Sequence, residues 1–392
     1  LNTILPRDPR LDPLPNLIVR ATARLASWLL PMRKPAPSAD KLRRILIVRT
    51  DDRVGNALLT IPLARALSLA LPNAEIDLLL PRSRLQVARG LPGFNLVEFD
   101  KRDSFRHPVK FWRFLKSLRA RSYDAAIDAA HWHAFSLTSA LLTRWSSRRL
   151  TVGSDRAPTS LYSSIVALPG PALREVEAKV QLATGLGLPP LATPPLETAL
   201  GTSLESRAAA KAAREALGLH GPFAAFNPGA RKPDHRWAPD QFAGLAKRLF
   251  DDHGLRSLVL WGPGEEALAR EVCAQSGGAA ICAPPTNLEE LAAHLRASSL
   301  AVTNDTGPMH LAVACGAPTL AVFLAKDGAR WAHLGPRFAA VDVSLAHAPD
   351  RRKPAPLADA RAAAALASQL LALTGSARSA SLPRQSSKEE VL

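Results

Sequence analysis

Asp305, Thr306 and Gly307 stand between two apolar runs, in the spacing of a phosphate seat. Residues 300–303 read as a short buried strand, residues 304–307 (NDTG) as a polar turn and residues 309–315 as apolar helix. Pro308 suits the first helical position, where a missing N–H costs nothing. Gly316, Ala317 and Pro318 stop the helix, and residues 319–323 make the next strand. A glycine just ahead of a helix start leaves backbone N–H groups aimed at open space. The helix dipole behind them favours an anion there. The same pattern also fits an ordinary strand–helix–strand corner of an α/β protein.

Three other stretches concentrate chemistry-bearing side chains. Residues 50–56 (TDDRVGN) set Asp51 and Asp52 in a polar loop, residues 227–238 (NPGARKPDHRWA) gather cations, and residues 261–266 (WGPGEE) pair two glycines with two acids. His131 and His133 lie at i, i+2 beside a strand end. Such a pair can ligate a metal, but no third ligand stands near it. The rim of a substrate cleft is the better reading, because open α/β sheets take ligands at the carboxyl ends of strands.

Each of these stretches follows a segment with the character of a buried strand. Residues 44–49 (RILIVR), 76–80 (IDLLL), 96–99 and 123–129 (YDAAIDA) are such strands, and a helix is expected over 57–70. Strand, loop, helix and strand at this interval imply a parallel sheet with helices on both faces. The second half repeats the order, with strands at 223–226 and 256–260 and a helix at 239–250. Between the halves, residues 189–199 (PPLATPPLETA) are proline-rich and lack apolar periodicity. The expected organisation is an arm over 1–40, a first domain over 41–190, a linker over 191–203, a second domain over 204–374 and a disordered polar tail over 375–392.

Two helices carry cations opposite an apolar face. In the arm, residues 16–30 put Ile18, Ala21, Leu25, Trp28 and Leu29 on one side and Arg20, Arg24 and Ser27 on the other. Such a helix can lie in a membrane interface, or it can pack on its own domain. A helix over 111–121 has Phe111, Phe114, Leu115 and Leu118 on one side, with Lys110, Arg113 and Lys116 opposite. That basic side reads as a solvated face or as a surface for an anionic acceptor.

Composition narrows the class. The 392 residues suffice for two domains of ordinary size, and 47% apolar residues suffice for their cores. Lys and Arg number 50 against 34 Asp and Glu, a net charge of +16, which predicts an anionic partner. Nucleic acid ranks last among such partners, because clustered basic–aromatic motifs are missing. No run reaches the roughly 18 apolar residues of a membrane span. Cys273, Cys282 and Cys315 have neither metal-ligand spacing nor a disulfide pattern, as expected of a reducing cytoplasm. The sequence opens on Leu1 and not on methionine, as expected of a trimmed chain or a fragment.

Four loops taken in order then resemble a known family. They are RTDDRVGNALLTIP (49–62), NPGARKPDHRWAPDQF (227–242), VLWGPGEE (259–266) and TNDTGPMHLA (303–312). Together they resemble glycosyltransferase family 9, the lipopolysaccharide heptosyltransferases, over roughly residues 43–350. The resemblance implies two doubly wound, Rossmann-like α/β domains facing across a cleft, the GT-B fold. The first domain would serve the acceptor and the second the nucleotide-sugar. It implies an inverting, metal-independent transfer from ADP-heptose or a relative to an anionic lipopolysaccharide-core acceptor. It also implies a monomer working at the inner face of the bacterial inner membrane, with no cofactor beyond its donor substrate.

Carried over residue by residue, Asp305, Thr306, Gly307, Pro308 and His310 match the donor-diphosphate loop. Thr306 and Gly307 would supply backbone N–H groups, Asp305 would order the turn, and His310 could equally be a packing residue. Gly262 with Glu266, or adjacent Glu265, matches the nucleotide side. The family's lysine ahead of the tryptophan is replaced by His235, so Arg231 or Lys232 would neutralise the leaving diphosphate. On the acceptor side stand Arg53, Gly55, His131 and His133. The family's Gly-Asp pair is here Gly55-Asn56, and a carboxamide cannot take the acceptor's proton. The base would then be Asp52 or Asp51. The alternative is a non-catalytic scaffold that binds a nucleotide-sugar or glycan on the same fold.

Overall fold

The computed structural model of the chain describes residues 13–32, 36–130, 135–155, 159–167, 173–324, 328–342 and 360–380. It divides into two units, Leu1–Ala199 and Leu200–Leu392.

Unit 1 is a parallel sheet of β1 (Arg44–Val48), β2 (Glu75–Pro81), β3 (Asn95–Phe99), β4 (Ala125–Asp128), β5 (Leu150–Ser154) and β6 (Ser164–Val166). Its helices are α1 (Pro13–Leu29), α2 (Val54–Leu58), α3 (Ile61–Ala70), α4 (Asp103–Arg106), α5 (Pro108–Ala120), α6 (Leu137–Ser146) and α7 (Glu175–Gln181). The strand order is β3-β2-β1-β4-β5-β6, so the winding reverses between β1 and β4. Leu46, Val48, Leu79 and Ala126 are buried against Leu118 and Tyr123, which is why these strands read as continuous apolar runs.

Unit 2 repeats the plan with β7 (Phe223–Asn227), β8 (Arg256–Val259), β9 (Ala280–Cys282), β10 (Leu300–Asn304), β11 (Thr319–Phe323) and β12 (Phe338–Asp342). Its helices are α8 (Leu204–Ala216), α9 (Pro239–His253), α10 (Glu266–Gln275), α11 (Leu288–Ala297), α12 (Gly307–Ala314), α13 (Gly328–Trp331) and α14 (Ala360–Ala380). The order β12-β11-β10-β7-β8-β9 reverses between β10 and β7. Phe226, Trp237, Phe242 and Leu245 form the centre of its core, with Trp237 edge-on to Phe242 at 5.0 Å.

Three expectations are corrected. The single helix over 57–70 is two, α2 and α3, because Pro62 at the start of α3 cannot donate to the preceding turn. The proline-rich run is fastened to unit 1: Thr198 Oγ1 and the Ala199 N–H both donate to the Val87 carbonyl, across 2.8 and 3.2 Å. Leu200 and Gly201 are fastened to unit 2 by Arg296 and Glu289, so the division falls at one peptide bond inside the expected linker. Helix α14 runs to Ala380, past Gly375, because alanines continue beyond that glycine; residues 381–392 of the expected tail lie outside the described residues.

Candidate functional site

In unit 2 the carboxyl ends of β7, β8 and β10 carry three of the loops singled out above. β7 and β10 are neighbours where the winding reverses, the place where open α/β sheets hold ligands. Helix α12 begins at Gly307 with Pro308 in its first turn, and no side chain caps it. Thr306 Oγ1 turns back instead to the Asn304 carbonyl at 3.3 Å. The Asp305 N–H is taken by the Val322 carbonyl at 3.1 Å, which orders the turn. Asp305, Thr306, Gly307 and Pro308 are all half-buried.

Asn304, which the sequence reading passed over, ties this corner to its neighbour. Its side chain is fully buried. Oδ1 accepts from the Trp237 N–H at 3.0 Å, and Nδ2 donates to the Pro228 carbonyl at 2.7 Å. Asn227 Nδ2 donates to the Leu260 carbonyl at 3.1 Å, linking the loop after β7 to the loop after β8. Two buried asparagines thus hold three loops together. Each spends its amide on backbone groups that a bend leaves without a ladder partner.

The two acids after Gly262 have separate fates. Glu265 Oε2 accepts from the Gly262 N–H at 3.0 Å, and a Cβ on Gly229 would meet that oxygen at 2.0 Å. The Glu265 carboxylate is therefore engaged in the turn, and it fills the space that a side chain on Gly229 would need. Glu266 pairs with Arg270 one helical turn on, at 2.5 Å, with its side chain 47% exposed.

Among the cations, Arg231 and Lys232 are exposed on the loop after β7. His235 is half-buried, with Nδ1 4.0 Å from Asp305 Oδ2. Burial lowers its pKa, and Lys232 and Arg231 push the same way against Asp234. Burial thus biases His235 toward its neutral form. His310 is buried, with Nδ1 2.8 Å from His333 Nε2 and its ring 6.1 Å from Trp331. Packing under the corner is where the structure places it.

In unit 1 the loop after β1 holds both candidate carboxylates. Asp51 Oδ1 accepts from the Arg53 N–H and from Asn56 Nδ2, each at 2.8 Å, while Gly55 and Asn56 are buried at the start of α2. Asp52 is 68% exposed along its side chain, bonded to Ser83 Oγ and 3.4 Å from Arg84 Nε. A cavity of about 490 Å³ opens beside it at the ends of β1, β2 and β3, with Arg82, Lys101 and Arg102 among its lining residues. No sequence motif marked those three cations, beyond their place just after strands.

Below the β1–β4 reversal lies a buried ionic group that was also missed. Arg49 Nη1 and Lys179 Nζ both donate to the Ala129 carbonyl, at 2.7 and 3.0 Å, and Lys179 pairs with Glu175 at 3.2 Å. Asp128 accepts from Ser139 Oγ at 2.6 Å, from the Ala130 N–H at 2.9 Å and from the Tyr162 hydroxyl. Burial pushes the Lys179 ammonium down to about 8 and raises Asp128. This group fixes the end of β4, from which His131 and His133 follow; both lie outside the described residues. Among the described residues no cluster of three or more His, Cys, Asp or Glu could hold a metal ion.

Comparison with known proteins bears on this architecture. Glycosyltransferase family 9 (heptosyltransferase) matches residues 111–360. Lipopolysaccharide heptosyltransferase 3 of Escherichia coli is 23% identical over 291 residues, spanning 71% of this chain and 82% of that protein. Among solved structures, a family 9 glycosyl transferase from Veillonella parvula superposes with a TM-score of 0.73 at 18% identity, over 87% of this chain and all of that one. The E. coli heptosyltransferase WaaC, solved with ADP-2-deoxy-2-fluoro heptose, gives 0.61 at 22% identity, over 83% and 99% of the two chains. The two six-stranded parallel sheets are those of the GT-B fold that these structures share.

Proposed function

The chain belongs to glycosyltransferase family 9, and on that premise we propose that it transfers heptose from ADP-heptose to an anionic lipopolysaccharide-core-type acceptor. The transfer inverts the anomeric centre and draws on no metal ion. The acceptor is a glycolipid of the bacterial inner membrane, met at its cytoplasmic face by a monomeric enzyme.

The observation that carries this reading is the uncapped start of α12 at the β10–β7 reversal, braced by Asn304. N–H groups of Thr306 and Gly307 receive the donor's diphosphate oxygens there. Arg231 and Lys232 meet the charge that grows on the leaving diphosphate. Glu266, whose carboxylate is half-exposed, takes the ribose hydroxyls, because Glu265 is committed to its turn.

On the acceptor side Asp51 is the base. The acceptor oxygen attacks the anomeric carbon and its proton passes to the Asp51 carboxylate. The bond from that carbon to the phosphate oxygen breaks, its electron pair leaving with the nucleoside diphosphate. Asn56 stands where the family carries its aspartate, and its amide holds Asp51 within 2.8 Å of that place. Asp52 and Asp100 share the cavity lining with Arg82, Lys101 and Arg102. Arg82 pairs with Glu98 and Asp100, and Lys101 and Arg102 are the cations suited to the acceptor's anionic groups.

A panel of nucleotide-sugars tested by thermal shift and by transfer checks the reading. ADP-heptose is expected to raise the melting temperature, since a ligand at 100 times its Kd adds about 2.7 kcal/mol. Absence of any shift and any transfer across the panel sinks it. Asn56 also favours a second reading, a glycan-binding scaffold without turnover. Donor binding that persists with no transfer at all would select that one.

A further inference from the structure

Helix α1 turns its largest apolar side chains away from the unit it packs on. Ala23 and Ala26 are buried against Ala140 of α6 and against Leu161 and Tyr162. Leu25, Trp28 and Leu29 remain 54%, 77% and 56% exposed. A helix held only for its contribution to the core would bury the leucines and tryptophan and expose the alanines. Helix α5, which also touches α6, repeats the feature. Its Phe114, Leu115 and Leu118 face the core, yet Val109 and Trp112 are 64% and 48% exposed, with Trp112 resting on Trp145 of α6 at 5.9 Å.

Charge on these helices is of one sign, a feature they share with α3 and α14. Neither α1, α5 nor α6 contains an aspartate or glutamate, in a chain that has 34. Their cations are Arg20 and Arg24 on α1, Lys110, Arg113, Lys116 and Arg119 on α5, and Arg144 on α6. Helices α8, α9, α10 and α11 of unit 2 each carry acids. On α5, Lys116 lies 5.6 Å over the Trp112 ring, and Lys110 pairs with Asp103 of α4 at 2.8 Å.

We propose that the outward faces of α1 and α5 dock this protein on an anionic phospholipid bilayer. Trp28, Leu25 and Leu29 enter the boundary between headgroups and acyl chains, and the cations of α5 meet the headgroups. A protein partner would need carboxylates in register with each of those cations. A sheet of acidic lipid supplies anionic charge without register and apolar depth in the same surface. Among the described residues no helix is long and apolar enough to cross a membrane, so the contact is interfacial. The proposal does not depend on sugar transfer and can be tested if that reading fails.

The test is sedimentation of the full chain with vesicles of phosphatidylcholine, alone or mixed with phosphatidylglycerol. Binding is expected to the mixed vesicles and to weaken as salt is raised. The combined Leu25→Ser, Trp28→Ser and Leu29→Ser variant should lower partitioning at least about tenfold. Lys110→Ala, Arg113→Ala and Lys116→Ala should lower it by about fivefold for each cation that reaches the surface. Leu204→Ser removes an 81% exposed leucine from α8 and should change nothing. All these positions are exposed, and an unaltered far-ultraviolet circular dichroism spectrum shows that each variant is folded. Three results overturn the proposal. One is no binding to either vesicle, the second an equal loss in Leu204→Ser, and the third a dimer in sedimentation velocity that the α1 variant dissolves.

Discussion

The Asn56 side-chain amide donates to Asp51 Oδ1 across 2.8 Å, the same distance at which the Arg53 N–H reaches that oxygen. Two donors on one oxygen hold the carboxylate oriented. Asp51→Asn is expected to lower kcat by about 10²–10⁴, the usual cost of losing a general base, with the donor KM little changed. Asp52→Asn, at a side chain 68% exposed and engaged with Ser83 and Arg84, should cost less than about tenfold. Single-turnover transfer separates the two. An Asp52 loss as large as that of Asp51 would return the role of base to Asp52.

Asn56→Asp places a second carboxylate within hydrogen-bond reach of the first. Like charges that close cannot both ionise easily, so one proton is retained to higher pH. The base works only when deprotonated. The acid limb of the kcat profile in this variant should therefore move upward in pH relative to the parent. A pH–rate series on both proteins reads the shift directly, and coincident limbs would show that Asp51 is not the group that titrates.

Leaving-group charge gives a separate test. Burial lowers the His235 pKa, while Arg231 and Lys232 are exposed on the same loop. Removing both, as Arg231→Ala with Lys232→Ala, should reduce kcat by about 10²–10³, comparable to losing an oxyanion donor. His235→Ala should cost much less near neutral pH. Steady-state kinetics at saturating donor measure both effects, and a larger loss at His235 would overturn the assignment.

What could be read in advance was local. The corner after β10 was legible because an apolar run, a glycine, a proline and a second apolar run all act within some twenty neighbouring residues. The parallel sheets followed from strands buried on both faces, whose apolar residues are contiguous. Strands β5, β6, β9 and β12 were not seen, since three to five residues are too few to carry a periodic signal. The ionic group under β4 was hidden for another reason. Arg49 and Lys179 meet at the Ala129 carbonyl from 80 and 50 residues away, and nothing local marks either as buried. Asn304 looked like turn chemistry, yet its amide holds the backbone of a loop 76 residues earlier. The split of duties between Glu265 and Glu266 rested on Gly229, whose missing side chain makes room for one of them.

Acid sensitivity should arise in unit 2 at His294. Its ring is buried in α11, and Nδ1 lies 3.2 Å from Arg214 Nη1 of α8. A guanidinium only donates, so Nδ1 accepts and the ring is neutral with its hydrogen on Nε2. Burial first, and then the Arg214 charge, pushes the pKa down to about 4 from an ordinary 6.5. The folded value lies below the unfolded one, so the stability is fully present above pH 6.5. It is lost as pH falls toward 4, because the unfolded chain takes a proton that the folded chain refuses. The loss amounts to a few kcal/mol, at about 1.4 kcal/mol for each pKa unit. His294→Gln keeps an acceptor for Arg214 and cannot titrate, so its urea midpoint should fall less between neutral pH and pH 5 than that of the parent. Parallel declines in the two proteins would place the acid sensitivity on carboxylates elsewhere.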